Sequence, residues 1–484
     1  MPQDSKLAFA VWLSLFVFGI ANIGSAETLT RQGVHLRLTS DVADERLLED
    51  LVASFDAAVP QWLAFWGLPA ERAANWSIDG FLMRDADAFR RSGDLPNHIP
   101  RFKNGFATPK AVWVNYQSSA YYNRHLMLHE GVHALTFELF GGGGPSWYME
   151  GTAELLGTHR NRPASQFSPT SGAADGLLAQ AGSQFRINEL PRSREESAMW
   201  GRYRVIDEQR QTGSFPTLAS VMKLPTDLEG NVESYTWCWA AALMFTSYRD
   251  TRDAYISAAQ RGRDQSPAFT TRFFREIGGQ WPALRARWQL WLHDLEYGFD
   301  RQRYQVDLST DDPRYDEQPK TFTINSGLGW QSAGAWFPGG TIQIRASGQC
   351  AIVAKENLEA AAEANHTEDA AGPIQQRDWI STPGGITVHY HRGYPIGQLQ
   401  VCVLPIPSAD VKKVSPLEIL PVTSPPDAAV RLAASGVSSA TEVVRTVQID
   451  RPSWLLFRIH DAPGEDGRFQ RADNRGGYQI QISR

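Results

Sequence analysis

The sequence predicts an α+β protein in two parts, a mostly helical part with a small mixed sheet followed by an antiparallel β-sandwich. Three observations lead there. At 484 residues the chain is too long for one ordinary domain. Long stretches of helical apolar periodicity occur only before about Asp300. Beyond Lys320, short apolar runs are separated by Gly, Pro and Asp turns, the pattern of an antiparallel sandwich.

Taken in order, His35 to Leu38 is strand-like, and Asp44 to Phe65 is a helix with Leu47, Leu48, Leu51, Phe55 and Val59 on one side. Ile78 to Met83 is a strand. Ala111 to Tyr116 is another, with Val112, Val114 and Tyr116 alternating against Trp113 and Asn115. A helix follows from Ser119 or Tyr121 to Leu139, burying Leu126, Leu128, Val132, Leu135 and Leu139. The Gly141 to Gly144 run ends it, because glycine accepts the positive φ of a C-cap, and Ser146 is the expected N-cap of the next helix. Tyr235 to Phe245 is a strongly apolar helix. Residues 301–320 are polar and carry Asp311, Asp312, Pro313 and Pro319, so they read as a linker or crossing segment. Strands are then expected at Phe322 to Ile324, Thr341 to Ala346, Gly385 to Tyr390, Gln398 to Leu404, Trp454 to Ile459 and Gln479 to Ile482, with an acidic, alanine-rich insertion at Glu356 to Asp378. The boundaries that follow are 1–26, 27–300, 301–320 and 321–484.

The first of these has a charged start at Lys6, an apolar run from Leu7 through Ile20 and a small-residue site at Gly24-Ser25-Ala26. That reads as a secretory signal peptide, which implies a secreted or periplasmic protein with no membrane span after its removal. An uncleaved anchor is the competing reading, since the apolar run approaches spanning length. Apolar residues make up 42% of the chain, enough for substantial cores, and a net charge of -6 without a basic cluster argues against a nucleic-acid partner. Of the three cysteines, Cys238 sits in the apolar run and reads as a buried thiol. Cys350 and Cys402 end strand-like runs, and a disulfide between them would suit an exported protein.

The chemistry concentrates in His129-Glu130-Gly131-Val132-His133. Residues four apart share a helix face, so His129 and His133 can converge on one metal ion with Glu130 beside them to act on a water. A tetrahedral catalytic site needs three protein ligands and one open position. Glu150, in Trp147-Tyr148-Met149-Glu150-Gly151-Thr152-Ala153-Glu154, is the expected third ligand, and Glu154 one turn on could accept a hydrogen bond from a ligating imidazole. The bland reading makes these ordinary surface residues of two amphipathic helices. His125, one turn before His129, reads as a helix-surface histidine.

These motifs resemble those of the gluzincin zinc metallopeptidases, the peptidase MA-like group that includes thermolysin and the aminopeptidase N family. The resemblance is strong over Tyr122 to Thr158 and looser elsewhere before Asp300. It implies a zincin-like (thermolysin-like) first domain, Zn2+ held by His129, His133 and Glu150, Glu130 as general base, and a peptide or protein substrate. The G-x-M-E-N motif of aminopeptidase N relatives is absent, so terminal cleavage is not implied. By the same resemblance, Trp113, Val114, Asn115 and Tyr116 form the edge strand that pairs with an extended substrate. Tyr235 is the first candidate to donate a hydrogen bond to the oxyanion, ahead of Tyr203 and His159.

The C-terminal part is similar, more weakly, to the bacterial calcium-dependent galactose-binding lectins. The similarity is carried by Trp336-Phe337-Pro338-Gly339-Gly340-Thr341-Ile342-Gln343-Ile344, by Arg458-Ile459-His460-Asp461-Ala462-Pro463-Gly464 and by Asp473-Asn474-Arg475-Gly476. It implies Ca2+ held by Asp461, Asp473 and Asn474, with the Trp336 carbonyl as a further ligand and a carbohydrate partner. Oxygen-only ligation is what calcium requires, although the same residues serve equally in Asx turns. The sequence therefore reads as an exported zinc-dependent peptidase with a lectin-like accessory domain. The alternative is a secreted carbohydrate- or surface-binding protein whose zincin half is catalytically inactive.

Overall fold

The computed structural model describes residues 28–161, 185–191, 200–353, 379–422, 442–462 and 471–484, apart from positions 214, 226–227, 229–230, 407–412, 415–416 and 418. The expected signal peptide, the acidic insertion and Pro463-Gly464 fall outside these residues. Among the described residues, no helix is long and apolar enough to cross a membrane. The fold is mixed α/β.

The first part pairs a five-stranded mixed sheet with helices. Its order is β1 (Leu29–Gln32), β2 (Leu36–Ser40), β3 (Ile78–Met83), β5 (Ala111–Asn115), β4 (Gly105–Ala107). The β2–β3 and β3–β5 pairs are parallel, and β1 and β4 are the antiparallel edges. Helix α1 (Glu45–Phe65) is capped by the Asp44 carboxylate, which accepts the Leu47 amide at 3.0 Å. α1 and α3 (Ala120–Phe140) bury one sheet face with Val112 and Val114, while Trp113 joins Met83, Phe89, Leu95 and Ile99 on the other, beside α2 (Ala86–Ser92). Ser119 caps α3 and Gly141, at φ 73°, ends it. α4 (Ser146–Gly157) starts at Ser146, with Pro145 in the cap position where Ser146 was expected. Among the described residues, five further helices and a short turn, α6, belong to this half: α5 (Trp200–Thr212), α6 (Leu218–Val221), α7 (Val232–Ser247), α8 (Arg249–Ala258), α9 (Pro267–Ile277) and α10 (Trp281–Asp294). Two short strands, β6 (His159–Asn161) and β7 (Phe185–Ile187), pair beside α1.

The second part consists of two antiparallel sheets. One runs in the order β10 (Gln331–Phe337), β20 (Ser453–Ile459), β16 (Leu399–Pro405), β18 (Ile419–Pro421). The other runs β13 (Trp379–Ser381), β12 (Cys350–Val353), β21 (Arg475–Ser483), β11 (Gly340–Ser347), β19 (Glu442–Ile449), with β9 (Lys320–Asn325) also on β21. Alternate residues from both, such as Leu455 and Phe457 against Ile344 and Ile480, fill a shared core. A hairpin, β14 (Ile386–His391) and β15 (Tyr394–Ile396), contributes Ile396 to this core, and β17 (Lys413–Val414) pairs with β8 (Phe215–Pro216) of the first part.

Strand β20 is buried along its whole length, and the reason lies outside this core. Its other face, Trp454 and Leu456 with Cys402 and Leu404 of β16, packs on Ala283, Ala286 and Leu290 of α10. Val306 and Leu308 fill the same contact, so the 301–320 segment crosses between the halves as packed structure. This layering also corrects the expected disulfide. Cys350 lies in the core between the sheets and Cys402 on the opposite face of its sheet, so the two are not bonded to each other. Cys238 is buried, as expected.

Candidate metal centre

Helices α3 and α4 form the floor of a cleft of about 350 Å³. Gly131 lets α3 lie close to α1: a Cβ there would come within 2.4 Å of Phe55 and 2.9 Å of Trp62. The close packing fixes the helix rotation, which turns His129 and His133 toward the cleft. Across from them α4 presents Glu150. His129 Nε2 lies 3.1 Å from His133 Nε2 and 3.1 Å from Glu150 Oε2, and His133 Nε2 lies 3.4 Å from the same oxygen. Glu130 lines the same cleft. All four side chains are buried.

Glu154 links a second set of contacts. Its Oε1 is 3.4 Å from His129 Nδ1, and its Oε2 is 3.3 Å from His125 Nε2. His125 is 3% exposed, so its expected place on the helix surface is wrong; α4 covers that turn of α3. Arg202 of α5 donates to both Glu154 oxygens, Nε to Oε2 at 3.1 Å and Nη2 to Oε1 at 2.6 Å. Among the described residues, two groups bring three His or carboxylate ligand atoms within reach of one ion: His129, His133 and Glu150, and His125, His129 and Glu154. The first suits a metal better. Arg202 already holds both oxygens of Glu154, and His129 turns its Nε2 toward Glu150.

The cluster is short of positive charge. Burial opposes ionisation of Glu130 and raises its pKa. Burial acts against Glu150 as well, yet the fields of His133 and His129 hold it down at about 2. Burial is outweighed at Glu154 too, by Arg202 first and then His125, so its pKa is lowered. At His129 burial disfavours the cation, but the Glu150 hydrogen bond and the nearby carboxylates push it up to about 9.

Tyr235 lines the cleft, with its ring 6.2 Å from that of His129 and the Arg202 guanidinium 5.9 Å from its centroid. Burial and then Glu150 raise its pKa, which keeps the phenol a neutral donor. The weaker candidates lie elsewhere. Tyr203 is buried against Trp239 and Tyr297, and His159 stacks on Tyr121 and takes a 3.0 Å hydrogen bond from Arg124.

The expected substrate edge is corrected. Trp113, Val114 and Asn115 are in β5, which is paired on both sides, by β3 and by β4. Tyr116 donates its amide to Met83 O at 2.8 Å and stacks under Arg84. The outer strand beside the cleft is β4, and residues Pro100 to Ala107 form the cleft wall. Three residues of Gly-Phe-Ala carry no alternation, so nothing in the sequence marked them as a strand. Arg202 was also missed, being 48 positions from Glu154 with no motif around it.

In the two-sheet part, Asp461, Asp473 and Asn474 come together. Asn474 Nδ2 donates to Asp461 Oδ2 at 2.7 Å and to Ser326 O at 2.9 Å. Among the described residues, both Asp473 oxygens and Asn474 Oδ1 are buried without a hydrogen-bond partner. Burial pushes Asp461 up to about 6, and burial with the Asp461 charge pushes Asp473 up to about 8. The Trp336 carbonyl is not part of this group: Trp336 pairs with Trp454, toward the start of β20, whereas Asp461 follows that strand's end. Arg471 Nη1 donates to the Ser326, Leu328 and Ile459 carbonyls.

No protein-family model matches the chain, and no curated protein matches it.

Proposed function

We propose that the protein is a zinc-dependent peptidase of the gluzincin type, with a zincin-like first half and a lectin-like β-sandwich after it, exported from the cell by its N-terminal segment. The observation that carries the reading is the convergence of His129 Nε2, His133 Nε2 and Glu150 Oε2 at 3.1–3.4 Å on a cleft floor. A tetrahedral zinc with bonds of about 2.0–2.2 Å places its ligand atoms about 3.3–3.5 Å apart, so the donor set fits the ion. Zinc held there supplies polarisation of a carbonyl and a lowered pKa for water.

The chain's own groups do the rest. Glu130 takes a proton from the attacking water and delivers it to the nitrogen released as the C–N bond breaks. Tyr235 donates to the oxygen on which negative charge develops. The outer strand β4 offers backbone groups to an extended peptide, and Phe137, Met149, Leu228 and Val232 line the cleft as an apolar recess for a side chain. Metal analysis of the dialysed protein should give one zinc, and a fluorogenic peptide library should be cleaved without chelator and left intact with it. Glu130→Gln should keep the zinc and lose turnover by about 10²–10⁴-fold. Turnover that survives chelation and metal removal would exclude the reading.

For the C-terminal half, we propose that Asp461, Asp473 and Asn474 hold calcium, supported by three buried oxygens without a hydrogen-bond partner among the described residues. Calcium should then raise the melting temperature, and an Asp473→Asn variant should respond less. An equal response in both would reduce the three residues to turn formers. Retention on immobilised galactose only when calcium is present would favour a carbohydrate partner.

A further inference from the structure

We propose that Gly105 is a positioning residue for Glu130: by lacking a side chain, it lets the β4 backbone form the wall against which the Glu130 carboxylate is set. The inference rests on the peptidase reading above for its catalytic consequence, and on geometry alone for its structural one.

A Cβ built on Gly105 would lie 2.4 Å from Glu130 Oε1, 2.8 Å from Cγ and 2.9 Å from Cδ. All three distances are shorter than real Cβ contacts allow, so one partner must give. The strand is pinned. Gly105 pairs with Val114, the Asn115 amide donates to Asn104 O at 2.8 Å, and Asn115 Nδ2 donates to Phe102 O and Lys103 O at 3.2 and 3.0 Å. Glu130 is not pinned in this way. Among the described residues no hydrogen bond holds its carboxylate, and the Gly105 backbone packs directly against it. Gly105 has no positive φ, so the glycine serves space and not backbone conformation. Alanine at 105 would therefore leave the strand in place and turn the carboxylate away. Because Glu130 contributes no metal ligand in this arrangement, the ligand atoms of His129, His133 and Glu150 would stay where they are.

The test uses the full-length, zinc-loaded protein and the best substrate from a fluorogenic library. Gly105→Ala should lower kcat by about 10–100-fold, the scale expected for a misplacement of about 1 Å, with KM, zinc content and melting temperature close to wild type. A fall in zinc content or melting temperature matching the loss of kcat would overturn the proposal, since it would make Gly105 merely structural. Glu130→Ala supplies a second check. It has no atom at the Cγ position to meet the added Cβ and no carboxylate to displace, so Gly105→Ala should cost little further in the Glu130→Ala background. Simple multiplication of the two losses would overturn the proposal. If the wild type cleaves nothing, the peptidase reading fails on its own. The positioning claim is then judged by crystal structures of both proteins: it stands if the Glu130 carboxylate moves in Gly105→Ala while the three ligand atoms do not, and falls if the carboxylate stays.

Discussion

Among the described residues, one buried cluster of histidine, carboxylate and arginine lies under the cleft and another where the halves meet. At the junction every carboxylate has its own guanidinium. Asp294 at the end of α10 pairs with Arg458 of β20 at 2.6 Å, and Glu296 pairs with Arg392 at 2.5 Å. Arg392 also donates to His293 O, and Arg210 donates to Leu292 O and Leu295 O, so two arginines satisfy carbonyls left open at the α10 C-terminus. Under the cleft Glu130, Glu150 and Glu154 have one arginine between them, and that one is committed to Glu154. Residue types are the same in both places. A balanced cluster is cement, whereas a cluster short of positive charge, with its ligand atoms converging, has room for a cation.

Breaking the junction should give the larger effect. Arg458→Leu leaves Asp294 buried with its main partner gone, and it also removes the hydrogen bond to Gln400 at 2.7 Å and the stack on Trp330. Removing one member of a buried ion pair costs about 3–5 kcal/mol. Denaturant unfolding should show that loss, while zinc affinity of the folded protein stays near wild type. A loss below about 1 kcal/mol, the range of exposed pairs, would mean the junction pair is not cement and would break the contrast.

Under the cleft the corresponding change should act on the metal. Arg202→Leu removes the guanidinium that holds Glu154 toward His129 and His125. Partners of a ligating histidine typically tune metal affinity or activity by about 10–100-fold, and that is the expected weakening of zinc binding. Competition with a chelator of known affinity measures it. Unchanged zinc affinity would make Arg202 a purely structural group, like Arg458.

The sequence revealed the two regions unequally, for a physical reason. His129, Glu130 and His133 sit within five residues, and their convergence is a property of one helix; Glu150 is one glycine turn away. Caps such as Asp44, Ser119 and Gly141 are equally local. What stayed hidden depends on chain segments meeting in space. Arg202 reaches Glu154 from another helix, and Gly105 reaches Glu130 from a three-residue strand. Periodicity marked Trp113 to Tyr116 as a strand and the family resemblance made it the outer one, but neither tells whether a further strand folds back beside it. The Thr108 to Ala111 turn does that here, with the Thr108 amide on Ala111 O at 2.8 Å. The junction left only an ambiguous mark: Trp454-Leu455-Leu456-Phe457 is a continuous apolar run, as in a strand buried on both faces, but the run does not tell what covers the second face. Only the second buried face of that strand reveals that something covers it.

The smallest expected effect separates the clusters by pH. At the junction His460 is buried: its Nε2 bonds to His391 O at 2.9 Å, its ring stacks on His391 and meets Tyr394 edge-on, and Arg458 and Arg471 lie nearby. Burial first, then the Arg458 charge, lowers its pKa well below the ordinary value of 6.5. Its neighbour His293, 2.7 Å from Asp294, is lowered as well, again by burial first. A histidine depressed in the folded state binds fewer protons there than in the unfolded chain. Its contribution to stability is complete above about pH 6.5 and is lost as pH falls below that toward the folded value. Asp473 and Asp461, raised to about 8 and 6, act in the opposite sense, losing stability as pH rises, so the wild-type profile alone mixes both signs. The difference between wild type and His460→Gln isolates the histidine, because the amide can still donate to His391 O and does not titrate. Between pH 7 and 5 the wild type should lose more stability than the variant. Parallel profiles would show that protons reach the junction at no cost, and the two clusters would then differ in metal affinity alone.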